Sequence, residues 1–395
     1  MATIEMTTAD QLMRQVAKIE PMIRAHAAEA EQHCRLSPKV AAALREIGCY
    51  RMFRPTACGG LGFNPVSGHR VIEELSRIDS AAGWNVAIAN ACESFGGWLD
   101  EADAQTVYGS PDAVLAGSFF PPRRAIAVDG GYSVTGRCPF NSNVHNATWL
   151  IGLAHVFDGE TQRTNDDGSP ATIITFLPAT DVTIIENWDT LGMRGTGSHD
   201  VEVKDLFVPN KYAPNFVPID TPNPAYDTPF HRMATWASIA CNAVPALGIA
   251  QAAIDDLVAL GRKVPAYTER ALRNRHVVQR NLAKASGKVE AARAFAHTVL
   301  NEAWQNARNG IITDLQTRAR SQLAAVHMLT ASAEAVDLVH SCVGASGIRC
   351  DQRFQRYFRD VHVITQHAYV CEDRLESVGQ IMFGMEPEWG FFAFA

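Results

Sequence analysis

Apolar side chains recur at helical spacing over about 8–30, at Leu12, Val16, Ile19 and Ile23, with Thr7 and Thr8 placed as N-caps. A second helical stretch covers 37–47 and stops at Gly48. Residues 51–62 then break the period with Pro55, Gly59, Gly60 and Gly62, which predicts a loop. Helix resumes over 65–76 and again over 81–108.

Around Pro111 the pattern changes. Short runs rich in β-branched or aromatic residues occupy 114–115, 125–128, 132–136, 149–154, 172–177, 182–186 and 201–208. Asp129-Gly130-Gly131 and Asp166-Asp167-Gly168 supply turns between them. Many short strands joined by tight turns predict an antiparallel barrel or sandwich rather than a doubly wound sheet. A proline-rich connector or wrapping arm spans 209–229. From Thr235 onward the spacing is helical again, in long stretches at 244–264, 276–309 and 315–343, the last carrying Leu323, Val326 and Leu329 on one face. Such helices with short joints make a bundle. The expected fold is mainly α with a central antiparallel β domain. Its parts are an N-terminal helical domain (1–110), a β-barrel or sandwich middle domain (111–215) and a C-terminal helical bundle (216–395).

Composition narrows the partners. Hydrophobic residues make up 47% of the 395 and charged residues 19%, a globular balance. The net charge of -7, without a Lys/Arg run, argues against a nucleic-acid backbone as partner. No uninterrupted apolar run reaches bilayer length and no secretory leader is visible, so no membrane partner is expected. The nine cysteines are scattered and fit buried, reduced thiols, which places the chain in the cytoplasm.

The sequence lacks a phosphate-binding GxxxxGK[ST] loop, H-E-x-x-H, G-x-S-x-G and a strand–GxGxxG–helix unit. Gly195-Thr-Gly197 has no following helix and reads as a plain turn. The thirteen histidines form no ligand cluster, so no metal site is expected. Three segments resist a purely structural reading. Residues 136–149 are too polar for a core and form either a capping loop or a ligand-contacting loop. Residues 188–200 and 356–367 are the other two. Taken alone, His367 in the last of them reads as a core histidine.

Leu191-Gly-Met-Arg-Gly-Thr-Gly-Ser-His-Asp-Val201 resembles the middle-domain segment of the acyl-CoA dehydrogenase superfamily. So do Gly59-Gly-Leu-Gly with Val71-Ile-Glu-Glu-Leu-Ser-Arg77, Ala246-Leu-Gly-Ile-Ala-Gln251, and the R-x-x-R-D of Arg356 to Asp360. Those dehydrogenases abstract a substrate proton with a glutamate, because a carbon acid needs a positioned base. The two places where the resemblance would put it hold Ala368, beside His367, and Ser238. The R-x-x-F-G element near the FAD pyrophosphate is also replaced, by the stretch from Arg275 to Ala283.

A second branch fits better, the two-component monooxygenases that use reduced flavin. Arg359 to His367 matches their R-D-V-H-x-x-x-Q-H pattern, and Gly117-Ser-Phe and Gly130-Gly-Tyr-x-Val-x-Gly-Arg-x-x-Phe-x-Ser142 resemble them too. The resemblance implies reduced FMN or FAD delivered by a separate NAD(P)H:flavin reductase. It also implies O2 activated as a C4a-hydroperoxyflavin, a small aromatic or heteroaromatic substrate, and a homotetramer. It makes His367 an acid/base or hydrogen-bond partner, with an ordinary imidazole pKa near ~6.5. Ser142 becomes the hydrogen-bond donor to flavin N5, with Phe140, Asn141, Gly344 and Ala345 as further flavin contacts. Asn90, Cys92 and Ser94, on the helix after Gly83-Trp84, would line the substrate pocket with Ser238. The alternative is an atypical FAD-dependent acyl-CoA dehydrogenase or oxidase, with Glu372 or Asp373 as base.

Overall fold

Thr8 caps the first helix as expected. Its hydroxyl accepts from Gln11 N at 3.2 Å while Gln11 Oε1 accepts from Thr8 N at 2.6 Å, a reciprocal capping box. The computed structural model describes residues 8–217, 223–266, 268–311 and 313–393; Thr7 and part of the connector, 218–222, lie outside them. Helix α1 (Ala9–His33) is followed by α2 (Pro38–Glu46), α3 (Pro65–Ile78), α4 (Ser80–Cys92) and α5 (Glu101–Tyr108). The single helix expected over 81–108 is broken at Glu93–Trp98. A Cβ on Gly96 would lie 2.1 Å from the Tyr226 ring, so the chain turns where a later segment presses against its backbone. At the same corner Arg54 and Glu93 form a fully buried ion pair, and Arg54 also donates to the carbonyls of Ser110 and Ala113.

The strands are β1 (Leu115–Gly117), β2 (Arg123–Val128), β3 (Gly131–Asn141), β4 (Trp149–Asp158), β5 (Thr161–Gln162), β6 (Thr172–Pro178), β7 (Thr183–Ile185) and β8 (His199–Pro209). They form one sheet in the order β1-β4-β2-β3-β8-β7, with β5 and β6 also paired to β4. The hairpins are antiparallel as expected, but β1 and β2 both run parallel to β4. The purely antiparallel expectation is corrected there to a mixed sheet. Turn signals report only neighbours in sequence, whereas these pairings join strands from distant segments. The registers Gly117↔Ile151 and Arg123↔Ala154 leave the loop 118–122 facing only residues 152 and 153, so that loop stands out from the strand edge.

The bundle comprises α6 (Pro229–Arg232), α7 (Ala234–Ala259), α8 (His276–Arg308), α9 (Leu315–Val343), α10 (Phe354–Ile364) and α11 (Arg374–Met382). Contrary to the sequence expectation, Ser238–Arg262 is long and apolar enough to cross a membrane, with a mean hydropathy of 1.5. Most of that window is buried against α3, α4 and α9, which makes it the bundle's central helix. A Cβ on Gly248 would stand 2.2 Å from the Glu73 carbonyl oxygen, so α7 crosses α3 at backbone contact. Six of the nine unpaired cysteines are buried, whereas Cys350 is exposed.

Candidate functional site

The end of β3 is bent to expose an aromatic ring. Phe140 has φ +62° and is 63% exposed, its ring edge-on to Trp188 at a centroid distance of 6.0 Å. A non-glycine residue in left-handed conformation costs roughly 1 kcal/mol or more and persists where the surroundings impose it. Here Asn141 imposes it: its buried amide donates to the Cys138 carbonyl at 2.7 Å, closing the turn from within. Ser142, 6% exposed, follows at the floor of the turn.

Ser142 begins a chain of hydroxyls. Its Oγ lies 2.7 Å from Ser198 Oγ, which lies 2.7 Å from Thr196 Oγ1, and that hydroxyl donates to the Met193 carbonyl at 2.8 Å. A hydroxyl has one proton and a carbonyl can only accept. Thr196 therefore gives its proton to Met193, Ser198 gives its proton to Thr196, and Ser142 gives its proton to Ser198. Trp84 Nε1 donates to Ser142 at 2.9 Å. With the protons so arranged, the serine offers an acceptor to a ligand, where the sequence reading expected a donor.

His367 follows α10 and stands edge-on to the same indole, ring centroids 5.4 Å apart. Its Nδ1 accepts from the Tyr369 amide at 3.4 Å, which puts the ring proton on Nε2. Burial pushes its pKa down to about 4, against the ordinary value expected from sequence. The ring is neutral at neutral pH and presents an Nε2–H donor. Asp360 fixes α10 against this wall: it accepts from Met193 N at 2.6 Å and from the Ser80 hydroxyl at the start of α4. Burial raises its pKa to about 6. Arg359 clamps the same joint by donating to Glu31 and to the Leu191 carbonyl. The R-x-x-R-D signature thus holds together the three segments that carry Trp84, Ser198 and His367.

The other sequence candidates divide. Asn90 is not a pocket residue: its Oδ1 accepts from Met52 and Phe53 N, and its Nδ2 donates to the Cys49 and Val86 carbonyls. With every polar atom occupied and no exposure, it staples the loop after α2 onto α4. Cys92 packs in the apolar cluster between α5 and the sheet, and burial raises its thiol pKa. Ser94 and Ser238 both donate to the Ala91 carbonyl, at 2.7 and 3.3 Å, which joins the ends of α4 and α7. Gly344 and Ala345 are exposed at the end of α9, beside the Lys263–Ser346 hydrogen bond. None of their described contacts reaches Phe140 to Ser142. A wide-mouthed hollow lined by Thr268, Arg270, Arg275 and His276 shares no residue with the Trp84 wall. No group of three or more His, Cys, Asp or Glu among the described residues could hold a metal ion. Sequence reasoning missed Trp84, Thr196, Ser198 and the joint made by Asp360. The Gly83-Trp84 pair and the T-G-S of 196–198 were the available signals.

Known proteins share this arrangement of elements. Residues 7–96 match the acyl-CoA dehydrogenase N-terminal domain and residues 240–372 its C-terminal domain. An indole-3-acetate monooxygenase of Pseudomonas putida is 31% identical over 93% of this chain and 92% of its own. The chain belongs to the acyl-CoA dehydrogenase superfamily. Within it, the FADH2-dependent resorcinol hydroxylase oxygenase component of a Rhizobium species is 27% identical over 96% of this chain and 95% of its own. Among solved structures, XiaF from Streptomyces in complex with FADH2 and glycerol superposes with a TM-score of 0.88. It is 23% identical and covers 96% of both chains, which shows the shared superfamily fold.

Proposed function

We propose that this chain is the oxygenase component of a two-component flavin monooxygenase. It takes reduced FMN or FAD from a separate reductase and uses O2 to oxygenate a small aromatic or heteroaromatic substrate. The carrying observation is that a neutral imidazole, His367, faces the Trp84–Ser142 wall where a carbon-acid base would otherwise stand. Glu372 and Asp373, the carboxylates an acyl-CoA dehydrogenase reading would need, are exposed. The oxygenase relatives in the superfamily support the same reading.

The residues fit a reduced flavin: Phe140 offers an exposed ring, and Ser142 a buried oxygen with a free lone pair. Bound reduced flavin supplies two electrons, so that one atom of O2 leaves as water and the other joins the substrate. Ser142 would hold the N–H at flavin N5 by accepting from it, its own proton turned toward Ser198. Trp84 covers the serine and keeps water from it, which matters because a wet site loses oxidising equivalents as hydrogen peroxide. His367 donates from Nε2 to an oxygen of the substrate or of the oxidant, with Tyr369 N holding the ring in that tautomer. Asn141 acts indirectly, by setting the Phe140 turn. Gly344 and Ala345 remain proposed contacts of the flavin's distal part, reached from a neighbouring subunit in a homotetramer. The exposed apolar side chains of Met382, Phe383 and Met385 suit such an assembly. The span of the strands among the described residues, 115–209, supports domain limits at about 110 and 215, and the scattered unpaired cysteines suit a cytoplasmic site.

The test supplies the purified protein with a flavin reductase, NADH, 18O2 and a panel of indoles, phenols, thiophenes and amines. One 18O atom in product, dependent on reductase, is expected. Tightly bound yellow FAD together with acyl-CoA oxidation would overturn the reading.

A further inference from the structure

Two arginines are buried among the described residues, and they are treated differently. Arg54 meets a carboxylate and two carbonyls. Arg123, at the start of β2 and 2% exposed, has Nε, Nη1 and Nη2 all without a hydrogen-bond partner among the described residues. Arginine cannot shed its proton at physiological pH, so the charge stays. An unpaired buried ion is strongly unfavourable even after relaxation, a state proteins rarely carry without a partner. Burial accordingly lowers its pKa, with no carboxylate opposing that shift. The neighbouring Cys138 thiol is neutral and donates to the Pro121 carbonyl at 3.1 Å. Asp200, across the strand from it, is already held by Arg137 at 2.7 Å.

The surroundings make room for this side chain. A Cβ on Gly152 would fall 2.0 Å from Nη1, and one on Gly136 3.1 Å from Arg123 Cγ. Two glycines on adjoining strands therefore leave the space that the guanidinium fills. Over it stands the loop 118–122, with Phe120 64% exposed. Phe119 in that loop packs on Phe95 at 5.0 Å, just beyond Ser94, and Cys138 beneath it lies two residues before Phe140. The orphaned cation therefore lies on the face of the sheet that carries Ala125 and Ala154, beneath the loop whose Pro121 carbonyl accepts the Cys138 thiol proton.

We propose that Arg123 is a carboxylate-binding site and that the substrate is an aromatic acid whose carboxylate passes beneath the loop 118–122 to pair with it. This rests on the oxygenase reading for the word substrate, but the site itself does not. A planar carboxylate can take two guanidinium N–H donors at once, which a neutral analogue cannot match.

The experiment measures equilibrium binding without turnover, by calorimetry, for indole-3-acetate, the neutral tryptophol and indole. Wild type, Arg123→Met and Arg123→Lys are compared. Wild type should prefer indole-3-acetate over tryptophol by at least ~10-fold, the scale of one charge-assisted pair. Arg123→Met should erase that preference with indole binding within about twofold, and Arg123→Lys should keep part of it. Melting without ligand separates a structural cation from a ligand partner: Arg123→Met should melt at or above wild type, because it removes an unpaired buried charge. A preference that survives in Arg123→Met overturns the proposal, as does equal loss of all three ligands with a lower melting temperature. FMN and riboflavin form a further arm, because a flavin phosphate shares the oxyanion chemistry. If Arg123→Met weakens FMN alone, the site belongs to the flavin and the proposal fails. Carboxylate binding that depends on Arg123 in a protein that oxygenates nothing would sink the oxygenase reading and leave the site standing.

Discussion

Trp84 Nε1 donates to Ser142 Oγ across 58 residues of sequence, and that single bond ties the buried helix α4 to the turn at the end of β3. Because Ser142 already gives its own proton toward Ser198, the indole and the hydroxyl chain together decide which way the serine points. Replacing Trp84 with Phe keeps an aromatic wall but removes the donor. The protein should stay folded, losing about 1–2 kcal/mol for the unmade bond. Hydrogen peroxide released per NADH consumed should rise severalfold; unchanged coupling would show that the indole only fills space.

The hydroxyl chain makes a separate prediction. Thr196→Val removes the acceptor to which Ser198 gives its proton, and so frees Ser142 to turn its proton elsewhere. Coupling should fall as in Ser142→Ala, while Thr196→Ser should restore it. Peroxide assays on the three variants decide the matter, and full coupling in Thr196→Val would break the chain as an explanation.

For His367 the pKa near 4 gives two expectations. Product formation should show no ionisation of this group between about pH 6 and 9, since an imidazole so far below its ordinary value stays neutral there. His367→Ala should cost roughly 10²-fold or more in oxygenation, the usual worth of a positioned proton donor, with reduced-flavin binding largely kept. An unaltered product yield would return it to the core.

Stability should fall in mild acid. His231 and His367 are both near 4 in the fold and near ~6.5 when unfolded, so the unfolded chain binds more protons between those values. Their contribution is complete above about pH 6.5 and is lost as pH drops toward 4. Asp360, raised to about 6, works the other way over the lower part of that range, as do the buried carboxylates Asp79 and Glu93, but burial also lowers His145, His155, His199 and His297, so the histidines outnumber them. His231→Gln should melt less differently at pH 7.5 and pH 5 than wild type does. An equal difference would reject the assignment.

Asn90→Leu tests the staple. Four hydrogen bonds at about 1 kcal/mol each predict a loss of roughly 3–4 kcal/mol, seen as a lower denaturant midpoint. The order of substrate preference should not change. A changed preference in a stable variant would return Asn90 to the pocket.

Much of this chain could be read in advance because its helices and strands are set by local periodicity. Two of the three long bundle helices, the loop over 51–62 and most strands fell within a few residues of their expected places, whereas α7 begins at Ala234, ten residues before the expected 244; the motif around His367 singled that residue out before any contact was known. The misreadings came where distant segments meet. The break at Glu93–Trp98 depends on Tyr226 pressing on Gly96, and the parallel pairing of β1 and β2 with β4 depends on strand order. Sequence alone set the scaffold and the presence of an imidazole in place of a carboxylate. Only the folded chain decided that Asn90 is fully occupied, that Ser142 joins a hydroxyl chain with Ser198 and Thr196, and that Arg123 is buried without a hydrogen-bond partner among the described residues. Hydrogen bonds and burial are properties of neighbours in space, and these neighbours come from different parts of the chain.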